Sequence, residues 1–360
     1  MSAAKPSLEN SKEIWLLLDS QIFGGIETHV LELAEGLREQ CFSVRVVLLT
    51  QYHPVPAIID KLEKNELCYS YLSDLHAEEN PKLNTSLSPY QLLLLAAKEH
   101  CPRLIHAHGY KASLISKLAK IRGHLPSTRQ VSTYHAGETP KGRVWLYDFI
   151  DRYSSFASNH SLAVSDKIRK KLPSRSTLLN NFISVPNVQP SIESNHFAFV
   201  GRLSNEKGPD RFIKLADSFP RLTFDIYGDG PDSDKLKQQS HQQANVILHG
   251  HQQNMAEIWK NVSVLIITSR FEGLPMAALE AMGRGIPVIA LSVGNLPALI
   301  SNKQNGFIVD SPNELPECIN QWLEMDEEQQ RKIRSNARET IKTHYSSQAV
   351  IPQVLTCYFS

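Results

Sequence analysis

The chain has 360 residues, 41% of them hydrophobic, and a formal net charge of +1. That length is more than one ordinary core and implies two domains, and the composition excludes a tail, a fibre and a disordered chain. Five cysteines without any CxxC spacing suggest neither a zinc site nor a disulfide framework and fit a reducing compartment.

The first twenty residues are polar apart from "IWLLL", which is far too short for a signal peptide or a membrane span and reads as a buried strand. "GGIETHVLELAEGLREQ" follows, with Val30, Leu33, Ala34 and Leu37 on one helical face. "SVRVVLLT" then reads as a strand, "SPYQLLLLAAKEH" as a helix, "RLIHAH" as a strand and "KASLISKLAKIRG" as a helix. "QVSTYHA" and "HSLAVS" read as further strands. This βαβ succession predicts a parallel sheet covered by helices on both faces. Residues 172–196, rich in Pro, Ser and Asn, suit a linker. Beyond them "FAFVGRLSNEKG", "LTFDIYGDGP", "NVILHGH" and "VSVLIITS" restart the pattern as a second doubly wound unit. The chain closes on two helices separated near residues 344–347.

Charge is unevenly spread. Residues 103–175 hold 14 Lys+Arg against 4 Asp+Glu. These cations read either as solvated helix faces or as a patch for anionic membrane lipid or an acidic acceptor. Nucleic acid fits poorly, because the patch lacks interleaved aromatics and the whole chain is nearly neutral.

Glycine loops follow predicted strands at Gly24 and Gly25, Gly201, Gly228 and Gly230, and Gly273. Together they describe a phosphate-lined cleft at the carboxyl ends of the strands, although each alone also suits a tight turn. Arg202 and Lys207 share one such loop, where two cations would neutralise a diphosphate and its growing charge on departure. Pairing with Glu206 is the plainer alternative. No Walker A run and no GxGxxG after the first strand occur, which argues against an ATPase or a standard dinucleotide enzyme. In "FEGLPMAALEAMGRGIPVIA", Pro275 suits the first turn of a helix, with the amides of Gly273 and Leu274 ahead of it. Glu272 would face a ligand from the loop, and Glu280 would accept from a vicinal diol or else lie on a solvated face. His106, His108 and His135 lie at strand ends as candidate bases, orienting groups or simple core residues. They lack a matching carboxylate or cysteine set for metal.

With "GGIETHVLELAEGL", "FVGRLSNEKG", "YGDGP", "EGLPMAALEAMGRGIPVIA" and "NGFIV" in this order, the chain resembles the family 4 retaining glycosyltransferases of the GT-B fold. The resemblance implies an α/β architecture of two Rossmann-like domains facing a cleft. Residues 1–180 would form the acceptor side and 181–345 the nucleotide-sugar donor side, with 346–360 a C-terminal helix crossing back. Arg202 and Lys207 would hold the donor diphosphate and Glu280 the donor ribose. Glu272 and the amides of Gly273 and Leu274 would contact sugar and phosphate. His135 would lie beside the reacting sugar, Gly24 and Gly25 over the phosphates, and Gly250 at the nucleobase. The activity implied is transfer of a sugar, in the first instance from a UDP-sugar, to a hydroxyl of a glycan or lipid-linked acceptor in cell-surface polysaccharide or lipopolysaccharide synthesis. Anomeric configuration would be retained, without metal or other cofactor. The setting would be cytoplasmic, with residues 103–175 touching the inner face of an anionic membrane. A non-catalytic nucleotide-sugar or polysaccharide-binding protein of the same fold is the alternative. "LNNFIS" and "VGNLPALI", with Ala298 where an acid is common, depart from the family pattern.

Overall fold

A computed structural model of the chain describes residues 13–76, 87–135, 143–186, 196–241, 243–252 and 254–360. It divides into two compact units, Met1–Asn180 with Val350–Ser360, and Asn181–Ala349.

In the first unit, strands β1 (Ile14–Leu18), β2 (Val44–Leu48), β3 (Tyr69–Tyr71), β4 (Leu104–His108), β5 (Arg129–Tyr134), β6 (His160–Ala163) and β7 (Thr177–Leu178) form one sheet. Their order is β3-β2-β1-β4-β5-β6-β7, and every pairing is parallel. Helices α1 (Gly25–Glu39), α2 (Ile58–Lys64), α3 (Pro89–His100), α4 (Tyr110–Ile121), α5 (Arg143–Tyr153) and α6 (Asp166–Arg169) connect them. β1 is buried at every position, as its unbroken apolar run requires of a central parallel strand. Trp15, Leu17, Ile105 and Ala107 pack with Leu93, Ala96 and Ala112 of the covering helices. The C-terminal residues close this unit: Phe359 stacks on Phe42, Arg103 lies over the Phe359 ring, and Tyr358 meets His106.

The second unit holds β8 (His196–Val200), β9 (Thr223–Tyr227), β10 (Val246–Gly250), β11 (Val264–Ile267), β12 (Val288–Leu291) and β13 (Phe307–Val309). Their order is β10-β9-β8-β11-β12-β13, again wholly parallel. Its helices are α7 (Pro209–Ala216), α8 (Ser233–Ser240), α9 (Met255–Trp259), α10 (Met276–Gly283), α11 (Leu296–Leu299), α12 (Leu315–Glu324), α13 (Glu327–Thr340) and α14 (Ser347–Phe359), the last ending in the first unit. Leu265 and Ile267 of β11 join one core while Val264 and Ile266 join the other, because successive strand residues face opposite sides. Each sheet is therefore doubly wound, and each reverses strand order once, between β1 and β4 and between β8 and β11.

One expectation needs correcting. The stretch read as a linker is structured in its first part: Thr177–Leu178 is edge strand β7, Leu179, Phe182 and Ile183 are buried, and Ile183 bridges to Ser346. Residues 187–195 lie outside the described residues. Helix α5 has no counterpart in the apolar pattern, because its inward side chains are charged. The closing helices do separate, through a π-helical turn at Ile341–Tyr345 and an extended Ser346.

Candidate active site

In the second unit, Arg202, Lys207, Glu272, Gly273 and Leu274 come from loops at the carboxyl ends of β8 and β11, the two strands flanking the reversal of strand order. The loops are sewn together. Amides of Arg270 and Phe271 donate to the Glu206 carbonyl, Thr268 Oγ1 donates to the Gly208 carbonyl, and the Arg270 guanidinium grips both oxygens of Asp210 at 2.8 and 2.7 Å. This stitching brings the Lys207 ammonium to 2.8 and 2.7 Å from the two oxygens of Glu272, and Ser269 Oγ donates to one of them at 2.7 Å. The Glu272 carboxylate is only 6% exposed, against 29% for the Lys207 side chain, so the lysine forms the open side of the pair. Arg202 is exposed on the same loop. Burial works to raise the pKa of Glu206, but hydrogen bonds from Ser204 and its own amide, with the charges of Arg202 and Lys207, hold it below the ordinary carboxylate range. The two cations thus share one neighbourhood.

The glycines divide into two kinds. A Cβ at Gly228, whose φ is +146°, would meet the Gly201 carbonyl oxygen at 1.9 Å, and one at Gly230 would meet Leu203 backbone. These two serve close packing of the β9 loop on the β8 loop, reinforced by Gly201 and Leu203 amides donating to Tyr227 and Asp229 carbonyls. A Cβ at Gly25 or Gly273 would meet nothing within 4 Å, and one at Gly24 or Gly201 makes only ordinary contacts. Open backbone of that kind admits a ligand. Gly250 accepts from the Gly228 amide at the end of β10, beside His249, whose ring stacks on Tyr227 at 4.4 Å.

Pro275 caps α10 and Met276 opens it, one residue later than the sequence suggests, so Gly273 and Leu274 precede the first helical residue by three and two positions. Leu274 is buried and its carbonyl accepts from Asn181 Nδ2 at 2.8 Å. Glu280 is half-buried rather than a solvated helix residue, and accepts from the Trp259 indole N–H at 3.0 Å. Two residues that the motifs do not single out set the neighbouring loop. Gly294, at φ +60°, packs on the carbonyls of Glu272 and Gly273, where a Cβ would stand 2.4 Å from each oxygen, and Asn295 N donates to Gly273 O. Ala298 brings backbone bonds in place of an acidic side chain: its amide donates to the Asn295 carbonyl and its carbonyl accepts from Tyr345 Oη.

In the first unit, the loop after β1 and the end of β4 flank the other reversal of strand order, and the end of β5 lies next to β4. Glu27 reaches back to the Gly24 amide at 2.9 Å, an N-terminal cap that holds the glycine pair. Burial raises the Glu27 pKa, with hydrogen bonds from its own amide, Ser20 and Gly24 opposing. His135, just past β5, lies 3.2 Å (Nε2) from His108 Nδ1, and its ring meets that of His29 edge-on at 4.8 Å. His29, which the motif reading passes over, sits at helical spacing with Leu33 and Leu37 on the buried stripe of α1; a histidine on an apolar stripe is the signal. Ligand atoms of His29, His108 and His135 all lie within 4.8 Å of one another, an arrangement able to hold a metal ion. His106 is spoken for, between Tyr358 Oη and Thr133 Oγ1 at 2.6 Å each. Desolvation first, then repulsion from neighbouring imidazoles, pushes His106, His108 and His135 well below the ordinary histidine pKa, so they are neutral.

The basic segment is less uniform than its charge count. Lys117 is buried on Asp151, Lys111 pairs with Asp19 at 2.7 Å, and Lys120 donates to the Thr128 carbonyl. Lys141 lies outside the described residues.

Two family models match the chain, "Glycosyltransferase Family 4" over residues 23–179 and "Glycosyl transferases group 1" over residues 186–340. The chain is 24% identical over 295 residues to the UDP-Gal:alpha-D-GlcNAc-diphosphoundecaprenol alpha-1,3-galactosyltransferase of Escherichia coli, covering 72% of this chain and 74% of that one. It is 34% identical over 154 residues to the lipopolysaccharide 1,6-galactosyltransferase of Salmonella typhimurium, covering 37% and 43%. Its structure is similar to that of Anabaena HepE in complex with UDP-glucose, with a TM-score of 0.79 at 19% identity over 96% of this chain and 98% of that one. With two parallel Rossmann-like sheets and family matches over both units, the fold is GT-B and the chain belongs to the family 4 glycosyltransferases.

Proposed function

We propose that this glycosyltransferase moves a sugar from a UDP-sugar to a hydroxyl of a glycan or lipid-linked acceptor, with retention of anomeric configuration and without a metal ion, in the assembly of a cell-surface polysaccharide. The observation that carries the reading is the Lys207–Glu272 pair beside Arg202, on loops that flank the reversal of strand order. Ligands of doubly wound sheets bind at that position. The activities of the two relatives, galactosyl transfer from UDP-Gal and transfer onto lipopolysaccharide, support the donor and acceptor classes.

In this reading the acceptor oxygen bonds to the anomeric carbon on the face from which the diphosphate departs. The bond from that carbon to the phosphate oxygen breaks, its electron pair leaves with the nucleoside diphosphate, and the hydroxyl proton passes to the departing phosphate oxygen. Arg202 and Lys207 stabilise the charge that grows there, as preorganised donors do elsewhere at a cost of about 10²–10³ in rate when one is lost. Glu272 positions Lys207 and, with the amides of Gly273 and Leu274, addresses the sugar. Glu280 takes the ribose diol, and Gly201, Gly228 and Gly250 shape the backbone around phosphate and base. In the first unit, Gly24 and Gly25 offer open backbone and His135 a neutral imidazole. No protein nucleophile is assigned.

The test is calorimetric binding of UDP-, GDP-, ADP- and CMP-sugars, with and without Mg²⁺, on wild type and Arg202→Ala, followed by donor consumption with acceptor present. A UDP-sugar bound without Mg²⁺ and weakened by the substitution supports the reading. Binding with no turnover on any acceptor favours the non-catalytic alternative, and binding that requires Mg²⁺ overturns metal independence.

A further inference from the structure

Helix α5 is inside out. Along "VWLYDFIDRY" the residues that turn inward are Asp148 and Asp151, 9% and 4% exposed, whereas Trp145 is 45%, Tyr153 57% and, in the following turn, Phe156 73% exposed. Leu146, Phe149 and Ile150 are exposed as well. A helix on a globular surface ordinarily does the reverse, burying its apolar stripe and showing its charges to water. The inward aspartate is held in place: Lys117 Nζ lies 2.7 Å from both Asp151 Oδ1 and the Asp151 carbonyl, and 2.7 Å from Tyr134 Oη. The outward face is therefore fixed by a buried ion pair and is not a helix waiting to roll over.

The exposed side chains are one surface. Trp145, Phe149 and Tyr153 recur every four residues, with ring centroids 5.5 and 4.2 Å apart, and Leu146 and Ile150 run beside them. A contiguous patch of large apolar side chains on a soluble surface marks a place of contact. The same unit carries exposed cations: Lys167 and Arg169 of α6 and Lys170 just after it, with Arg169 paired to Asp166 at 2.7 Å, and the charges of Arg152 of α5 and of Lys167 both act on Lys171. An apolar face ending in indole and phenol groups, on a unit with exposed lysine and arginine, is the composition of a surface that lies in the interface of an anionic bilayer. A second copy of the chain fits less well, because a two-fold contact through this face would bring the same cations together.

We propose that α5 and the turn after it form a membrane-docking element, seating Trp145, Phe149 and Phe156 at the acyl-chain boundary while Lys167 and Lys170 meet anionic headgroups. Eleven residues of helix are long enough to lie along a surface and too short to cross it, and no described helix is long and apolar enough to span a membrane.

Trp145 makes the proposal directly measurable. The other three tryptophans, Trp15, Trp259 and Trp322, are buried, so a change in indole emission on adding vesicles reports this helix. The full-length protein, without donor, is titrated with vesicles of phosphatidylcholine alone and of phosphatidylcholine mixed with phosphatidylglycerol, at low and high salt, and binding is read by emission and by co-flotation. The expected result is a blue shift and co-flotation with the anionic vesicles, weakened by salt. Trp145→Phe removes the emission change but not flotation. Phe149→Ser with Phe156→Ser lowers vesicle affinity at least about tenfold, since each exchanges an inserted ring for a hydroxyl, with unchanged melting. No flotation with anionic vesicles at low salt overturns the proposal, as does flotation unaffected by the double substitution. Concentration-dependent dimers abolished by that substitution would instead assign the face to a second copy. Because no sugar is transferred in the measurement, its outcome is separate from that of the transferase reading.

Discussion

Lys207 Nζ stands 2.8 and 2.7 Å from the two carboxylate oxygens of Glu272, across 65 residues of chain, and Ser269 holds one of those oxygens from the other side. The carboxylate is the buried member and the ammonium the accessible one, so an anion can approach the lysine without displacing the glutamate. Lys207→Ala is expected to lower turnover by about 10²–10³, the size of effect seen when one preorganised donor is lost. Glu272→Gln keeps the shape but loses the charge that aims the ammonium, and is expected to cost less. Steady-state release of nucleoside diphosphate measures both, and full activity in Lys207→Ala would remove the lysine from the site.

Glu280 shares a hydrogen bond with the Trp259 indole at 3.0 Å. If that bond orients the carboxylate toward a diol, Trp259→Phe keeps the packing and loosens the aim. Hydrogen bonds to charged groups contribute roughly 1.5–3 kcal/mol. Donor affinity is expected to fall about tenfold in Trp259→Phe and further in Glu280→Ala, while both remain folded. Calorimetry on the donor decides, and unchanged affinity in Glu280→Ala would exclude it from the ribose site.

Three neutral imidazoles give the fold an acid limit. His106, His108 and His135 bind protons less readily folded than unfolded, so the unfolded chain takes up more protons once pH drops below the ordinary value of 6.5. Stability therefore rises with pH up to that value and is lost progressively below it, down toward the depressed folded values. Melting temperature followed from neutral to acid pH should turn downward near 6.5, and His106→Asn should flatten the fall. A flat profile through that window would show that these histidines are accessible to protons in the fold.

Chelation tests the reading of His29, His108 and His135. Metal-independent transfer predicts full turnover in EDTA, despite nitrogen atoms within 4.8 Å that have the proximity for an ion. Activity lost on chelation and restored by Zn²⁺ would place an ion there and give the first unit a cofactor.

The buried pair beneath α5 carries stability. The side chains of Lys117 and Asp151 are 1% and 6% exposed, and desolvation moves both pKa values toward neutrality while their contact opposes it. Lys117→Met leaves a buried carboxylate uncompensated and is expected to cost about 3–5 kcal/mol, most of it recovered in Lys117→Met with Asp151→Leu. Urea unfolding measures the pair, and a cost under about 1 kcal/mol, the range of an exposed pair, would mean that water reaches it.

Periodicity made the architecture legible. Strands such as β1 and β11 are unbroken apolar runs because both faces are covered, and helices such as α1 show a 3.6-residue stripe, so the two doubly wound sheets follow from local pattern. Pattern failed where burial was not apolar. Helix α5 turns aspartates inward and rings outward, and β7 is two residues of edge strand inside a stretch whose composition suits a linker. The loops bearing Gly24, Gly201, Arg202, Lys207 and Glu272 could be placed at strand ends from the order of elements alone, because a parallel sheet puts all such ends on one edge. Which side chains meet there could not. Lys207 reaching Glu272, Trp259 reaching Glu280, His29 joining His108 and His135, and Gly294 packing on Gly273 all join residues between 21 and 106 positions apart or on different strands' loops. Local sequence sets the period of each element. Only packing of the sheets decides which loops become neighbours, and with them which charges are paired, which are buried and which are left open to a ligand.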